Sequence, residues 1–571
     1  MQLQDLLAKG YFPIQLPVGF GTKRLADSIE QIKVVWDGVP GKQAGASQSE
    51  KFSVARSSYS RRTTSIPNPV SFYALAKEIC EYWPQIQAHY DKSEISRSIP
   101  GTHGSLRAIE LTKFSDLYEE RVCQSAGARY ALITDISSYF PTVYTHTIPW
   151  ALHTKPVAKA NKTRKTPEFF GNILDGRCMG TQDGQTIGLP IGPDTSHIIA
   201  EIIGVSIDEA ICAELGEWPK GFRYVDDFTF FFNKREEAER ALAIIIKCVS
   251  AYELQINASK TKIVEVRELV QESWKYSLKK LTVSARKRQQ KDDIHHYFEM
   301  LFSLESRFKD ESLVKYGLKQ LSSSIVKKSN WAIAEAYFLK CGYGFPNTLQ
   351  VITQILATYH RYGYPLNMNA LGAFSRNLLE SAAAANHHSE TAWLLWLCKE
   401  LSIHLDASLI LQVLQMESSV CSLIALDLIH SDLVDGEVDL AALAGLPLTD
   451  QALKGNNWLL AYEGGRRLWL GNPDIAFIEA DPCFAALLNA DVSFYDREAR
   501  LPAIFQVKLE AAEAIDFDSD HEIDSDFEFD SMDEEYFDSA VTDTDEEGEE
   551  QGAAVAGKGN LAVDPEAPDD W

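Results

Sequence analysis

Asp226 and Asp227 stand side by side in Tyr224-Val225-Asp226-Asp227, with Gly221-Phe222-Arg223 before them and Phe228-Thr229-Phe230-Phe231-Phe232 after. Two apolar runs broken by so short a polar step read as a hairpin with both carboxylates at its tip. Adjacent carboxylates repel and raise each other's pKa, so the arrangement is costly unless a divalent cation lies between them. Mg2+ held in this way points to phosphoryl transfer. A solvent-facing acidic turn would use the same residue types, so the pair alone does not decide the chemistry.

A third acid makes the case stronger. Tyr130-Ala131-Leu132-Ile133-Thr134-Asp135 reads as a short apolar strand ending in a carboxylate. Two-cation transfer needs acids from different strand ends to converge, one ion activating a 3′-hydroxyl and the other steadying pyrophosphate. Asp135 and Asp226 are 91 residues apart, enough for a helix-containing crossover between neighbouring strands. Between them, Gly188 to Ser196 makes a rigid turn. The spacing of Ile198, Ile199, Ile202 and Ile203 then predicts a helix with one apolar stripe, capped by Asp194 or Thr195.

The segments Asp135–Phe140, Gly188–Ser196, Tyr224–Asp227 and Leu254–Lys262 resemble, in that order, the A, B, C and D motifs of reverse transcriptases. The resemblance implies a site. Asp135 and Asp226 would hold two Mg2+ ions (Mn2+ as a substitute), with Asp227 beside them and the Ile136 carbonyl as an extra ligand. Phe140 falls at the steric gate, where a bulky ring excludes a ribose 2′-hydroxyl and favours deoxynucleotides. Lys260 falls at the general acid that protonates pyrophosphate, with Lys262 as its rival. Arg62, next to Arg61, and Arg107 lie in the expected fingers and are candidates for gripping the triphosphate. The second motif departs from the Leu-Pro-Gln-Gly of retroviral enzymes, because Ile191 precedes Gly192 here. Ile191 cannot hydrogen-bond a sugar or base edge, so template handling is expected to differ.

Longer phrases resemble the bacterial defence-associated branch, the abortive-infection and unknown-group enzymes. They include Ser138 to His153, Gly184 to Ser196, Trp458 to Glu463 and Val492 to Asp496. The resemblance spans about residues 50–500 and is strongest at 130–265. It implies an antiphage protein of the bacterial cytoplasm. Some members of that branch copy an associated noncoding RNA, and others extend DNA without a template from a protein hydroxyl.

With 571 residues the chain has room for two to four domains. The expected class is α+β: right-hand polymerase fingers and palm, an all-α repeat-like region, and an acidic tail. The expected divisions are 1–125 (N-terminal extension and fingers), 126–270 (palm), 271–300 (basic thumb-like connector), 301–512 (α-helical) and 513–571 (disordered tail). No apolar run is long enough to cross a bilayer, and the first residues lack the pattern of a signal peptide. Nine cysteines form no Cys-x-x-Cys pair, which fits a reduced cytoplasm.

The net charge of −26 looks wrong for a nucleic-acid enzyme until it is located. From residue 513 onward 23 acids face the single base Lys558, so −22 lies there and only −4 in the remainder. Lys155 to Lys165 and Lys275 to Lys291 are basic stretches that suit a phosphate track or solvated helix faces. Asp516 to Asp520 opens like a calcium loop, but His521 and Phe527 occupy the positions that need Gly and Glu. The tail reads as a solubilising segment or as a nucleic-acid mimic that competes for the basic channel.

Beyond residue 295, helical spacing covers Trp331–Leu339, Leu349–Tyr359, Ala370–Ala384, Thr391–Leu401 and Ser408–Met416. Leu394 to Leu397 read as core, and His387-His388 as a polar loop. Three functions fit: an RNA-directed DNA polymerase in antiphage defence, a template-independent and protein-primed polymerase, or a non-catalytic phage-sensing scaffold. The partners implied are deoxynucleoside triphosphates, an RNA template or associated noncoding RNA, the DNA product and a second copy in a homo-oligomer, without a membrane.

Overall fold

The computed structural model describes residues 1–504 apart from 39–45, 57–59, 103, 105, 270–273, 323, 444–448 and 472–473. The expectations for the acidic tail 513–571, the calcium-like loop within it and the start of the connector at 271–273 concern residues outside that set.

Eight strands matter to the site. β1 (Glu50–Ala55) and β2 (Arg61–Ile66) form an antiparallel hairpin. β3 (Gly101–Thr102) pairs with β4 (Ile109–Glu110). β5 (Tyr130–Asp135), β6 (Gly221–Tyr224), β7 (Asp227–Phe232) and β8 (Lys262–Glu265) form one sheet in the order β6-β7-β5-β8, antiparallel throughout. β7 is the most aromatic strand and lies inside the sheet, where Phe228 and Phe230 are fully buried. Aromatic and β-branched residues favour that pleated, enclosed setting, and burial of both faces forbids a one-residue slip of register.

Two helices back the sheet. Arg235–Ser250 follows β7 and lays Ala238, Ala241, Ile245 and Val249 against the core, an i, i+3, i+7, i+11 stripe. Asp194–Leu215 is buried over most of its circumference, including its acids Glu201 and Asp208. The expected cap of this helix differs. Pro193 is its N-cap, and Asp194 is its first residue, turning its carboxylate outward to Arg107 and the Ala108 and Ile109 amides.

The region beyond 295 is helical, and the structure extends most of the expected segments by a few residues. The observed helices are Trp331–Gly344, Leu349–Arg361, Met368–Ala384, His388–Leu401 and Ala407–Leu414. His388 is not a loop residue: it opens a helix, and its Nδ1 accepts from the Ser53 amide at 3.2 Å. Leu394, Leu395 and Trp396 are fully buried and Leu397 nearly so. Among the described residues no helix is long and apolar enough to cross a membrane.

The helical region does not stand apart from the rest of the chain. Residues 19–21 pair with 494–496 through Gly21 N to Phe494 O at 3.0 Å and Asp496 N to Gly19 O at 2.7 Å. Trp36 Nε1 donates to the Cys483 carbonyl and Trp393 Nε1 to the Gln15 carbonyl, each at 3.0 Å. Arg61 on β2 makes a two-pronged pair with Glu390 at 2.6 and 2.7 Å, the strong geometry for a guanidinium and a carboxylate.

Candidate active site

The sheet register brings the acids together. Asp135 closes β5 and Asp227 opens β7, and their Cα atoms are direct partners across the ladder. The Ile136 amide donates to the Asp226 carbonyl at 3.2 Å, so the turn between β6 and β7 is tied to the end of β5. On the other edge, the Asn257 amide donates to the Asp135 carbonyl and the Ser137 amide to the Gln255 carbonyl, both at 2.8 Å. Three chain segments separated in sequence therefore meet at one sheet end.

Lys260 arrives on that third segment. Its Nζ lies 3.0 Å from Asp135 Oδ2, with the side chain 29% exposed. The loop carrying it is pinned: Thr261 Oγ1 bonds the Asn257 carbonyl at 2.7 Å and meets Thr134 Oγ1 at 2.7 Å. Lys262 is exposed on β8, across from Ile133. Of the two lysines, only Lys260 is held at the carboxylates.

Burial and mutual repulsion govern the charges. Asp226 is held well above the ordinary carboxylate range, first by burial and then by Asp227 beside it. Asp227 is raised to about 6 by burial and by Asp135, against the opposing pull of Lys260 and Arg121. Asp226 Oδ1 is buried and has no hydrogen-bond partner. A buried, unsatisfied carboxylate oxygen beside two further acids suits a hard cation that prefers oxygen ligands. Among the described residues no three His, Cys, Asp or Glu side chains already form a metal cage. Lys260 places a positive charge against Asp135.

The other expected site residues fall into two groups. Phe140 sits on the short helical turn after β5, 1% exposed, its ring edge-on to His197 at 4.9 Å between centroids. Burial and the Arg107 charge push the His197 pKa down to about 3, so a neutral imidazole backs that ring. Ile136 is buried at the end of β5. Ile191 packs part-buried against the core, and its carbonyl accepts from the Ser65 amide at 2.7 Å. Gly192 adopts φ +117°, and a Cβ there would sit 2.8 Å from Pro13, so only glycine fits this turn.

The geometry lends no support to a triphosphate grip by Arg107 or Arg62. Arg107 is engaged by Asp194 Oδ1 at 2.9 and 2.5 Å, the Gly192 carbonyl at 2.8 Å and the Phe12 carbonyl at 2.7 Å. It holds the second-motif turn in shape. Arg62 is buried on β2 opposite Val54.

Two features escaped the reading of the sequence. Arg121, on the helix Phe114–Ser125, is close enough for its charge to lower the Asp227 pKa. Nothing local to residue 121 signals this, because the contact is made across the fold. Arg223, embedded in an apolar strand, is bound by Glu201 and Asp208. Here a signal existed: a lone arginine inside a buried strand demands acidic partners.

Comparison with known proteins gives a family match over part of the chain. Residues 80–290 match the family described as reverse transcriptase (RNA-dependent DNA polymerase). No curated protein matches the chain. Among solved structures, apo telomerase from Candida tropicalis is similar at 12% identity and a TM-score of 0.30, over 66% of this chain and 70% of that one. The chain carries a reverse transcriptase domain at residues 80–290, and its enzymatic class is that of a nucleotidyltransferase.

Proposed function

We propose that the chain is an RNA-directed DNA polymerase whose palm is the four-stranded sheet, whose fingers include the β1–β2 hairpin, and whose thumb begins with the helix Lys287–Phe308, basic only at its N-terminal end. The observation that carries this is the cross-strand pairing of Asp135 with Asp227, with Asp226 adjacent and Lys260 3.0 Å from Asp135. Asp135, Asp226, Asp227 and the Ile136 carbonyl would hold two Mg2+ ions, or Mn2+. Such ions supply Lewis-acid stabilisation of the attacking oxygen and of the departing pyrophosphate.

The chain's own residues do the rest. Lys260 is placed to give a proton to the leaving pyrophosphate, a role that needs hydrogen-bond reach of the reacting oxygen. Phe140, braced by His197, is the wall that a ribose 2′-hydroxyl would strike. Arg107 shapes the Gly192 turn that the template strand approaches. The basic stretch at 155–165, where Lys155 lies 3.9 Å over the Trp150 ring, and the N-terminal end of the helix Lys287–Phe308 supply phosphate contacts. The wider resemblance to defence-associated enzymes supports a role in antiphage protection.

A second reading is template-independent extension. It is favoured by Ile191, whose side chain packs against the core where retroviral enzymes place a hydrogen-bonding residue.

Purified protein incubated with Mg2+ and labelled deoxynucleotides, before and after RNase treatment, tests both. RNase-sensitive synthesis is expected. RNase-resistant synthesis selects the second reading. No synthesis, with phage protection that survives Asp226→Asn, would leave only a non-catalytic scaffold.

A further inference from the structure

We infer that Arg223 and Ser98 are positioning residues for the acidic turn, gripping both backbone polar groups of Val225 and so fixing where the Asp226 carboxylate stands. The inference rests on the polymerase reading above. Val225 has φ +53°, in the left-handed region. A β-branched residue is an outlier there, and such strain persists only where the surroundings over-determine it. Two contacts do so. Ser98 Oγ accepts from the Val225 amide at 2.8 Å, and Arg223 Nη1 donates to the Val225 carbonyl at 2.9 Å.

Both grips are anchored in a single buried network. Arg223 is 1% exposed. Its Nε and Nη2 fork Asp208 at 2.8 Å each, while Nη2 and Nη1 reach Glu201 at 2.8 and 3.1 Å. Glu201 and Asp208 are seven residues apart, two turns along one face of the helix Asp194–Leu215. Ser98 Oγ donates to Glu201 Oε2 at 2.8 Å, so one hydroxyl joins the Val225 amide to the charges. Residues 95–97 add along β6 through Arg223 N to Ile95 O and Arg97 N to Arg223 O, both at 2.8 Å.

Only a guanidinium can serve three partners from fixed directions at once; a lysine would present a point charge. A buried ion network of this kind is a poor source of stability, because desolvation offsets its Coulombic gain. Its use is geometric: it aims the peptide unit that leads into Asp226, whose carbonyl then takes the Ile136 amide. Ser98 lies outside the four motif segments, so the acidic turn is set partly by a residue more than 120 positions away in the chain.

The test uses the full chain with Ser98→Ala, Ser98→Cys, Ser98→Thr and Ser93→Ala. Ser93 bonds Asp208 at 2.7 Å and does not touch the turn. Mn2+ binding is followed by the electron paramagnetic resonance signal of free manganese. The kcat and the KM for dTTP are measured on oligo(dT)-primed poly(rA), and Tm is recorded for each variant. Ser98→Ala is expected to weaken Mn2+ binding at least fivefold and to lower kcat at least tenfold, with KM within twofold. Ser98→Thr restores both to within threefold, and Ser93→Ala leaves both within twofold whatever its Tm.

Should Ser98→Ala not fold, the nearly isosteric Ser98→Cys is read in the same way. Wild-type Mn2+ affinity and kcat in the Ser98 variant overturn the inference, as does a Ser93→Ala defect equal to it. A wild type that binds Mn2+ but extends no primer sinks the polymerase reading alone, and the Mn2+ comparison still decides the positioning. A wild type that does neither overturns both.

Discussion

Asp226 combines three properties at one side chain: burial, an unpartnered Oδ1 and a pKa held well above its usual range. A carboxylate kept in that state destabilises the folded chain without its cation, because the charged form lacks both water and a partner. Removing the charge while keeping the shape therefore separates function from folding. Asp226→Asn is expected to abolish DNA synthesis by at least about 10^3-fold, in line with the loss of a ligand to a reaction-centre cation. Its Tm without metal should be equal to that of the parent or higher. Primer extension and a thermal melt in EDTA measure the two. A lower Tm together with retained synthesis would assign Asp226 to the fold instead of the chemistry.

At the scale of elements, the strand ending at Asp135, the hairpin that carries Asp226 and Asp227, and the helix that follows Pro193 were legible because their signals are local, whereas β8 and the helix Arg235–Ser250 were not read. The strands at 130–135 and 227–232 carry β-branched and aromatic runs that end at acids. The helix at 194–215 shows its stripe in Ile198, Ile199, Ile202 and Ile203. Asp194 misled because capping chemistry and ion-pair chemistry use the same residue type, and only the fold shows that Arg107 takes it. Arg121 was hidden because its approach to Asp227 is made across the fold. Close packing around Arg223 gives a sharp test of this layer. A Cβ at Gly204 would lie 2.7 Å from the Arg223 guanidinium, which is locked on three sides and cannot step back. Gly204→Ala is expected to cost about 1–3 kcal/mol through overpacking, despite the higher helix propensity of alanine. Denaturant unfolding checks it, and a stabilised variant would contradict the rigidity described for this network.

Across the whole molecule, Glu50 couples the β1–β2 hairpin to the helical region. Its Oε1 accepts from the Ser419 amide at 2.8 Å and the Val420 amide at 3.4 Å, at the start of the helix Ser419–Ile429. Those bonds favour the carboxylate, yet burial outweighs them and raises its pKa to about 7. The folded chain thus keeps a proton that the unfolded chain releases near pH 4.5. Stability contributed by this group is full below about pH 4.5 and falls as pH rises to about 7, by roughly 3 kcal/mol in total. Glu50→Gln should flatten that slope in chemical unfolding between pH 4.5 and 7. An unchanged slope would show that the helix N-terminus holds the ionised form after all.

The clasp of residues 19–21 onto 494–496 carries a consequence for biosynthesis. The first turns of the chain cannot reach their final neighbours until residues 483–496 have left the ribosome, tens of seconds later at roughly 5–20 residues per second. Until then Phe20 lacks Tyr495, and Trp36 lacks Cys483. Nascent chains arrested near codon 400 should be cut by protease within residues 1–36, and chains carried past 500 and released should resist at the same sites. Equal resistance at both lengths would mean that the opening segment matures without its distant mate. On this account a copy arrested before residue 494 keeps its opening segment unclasped and open to proteases.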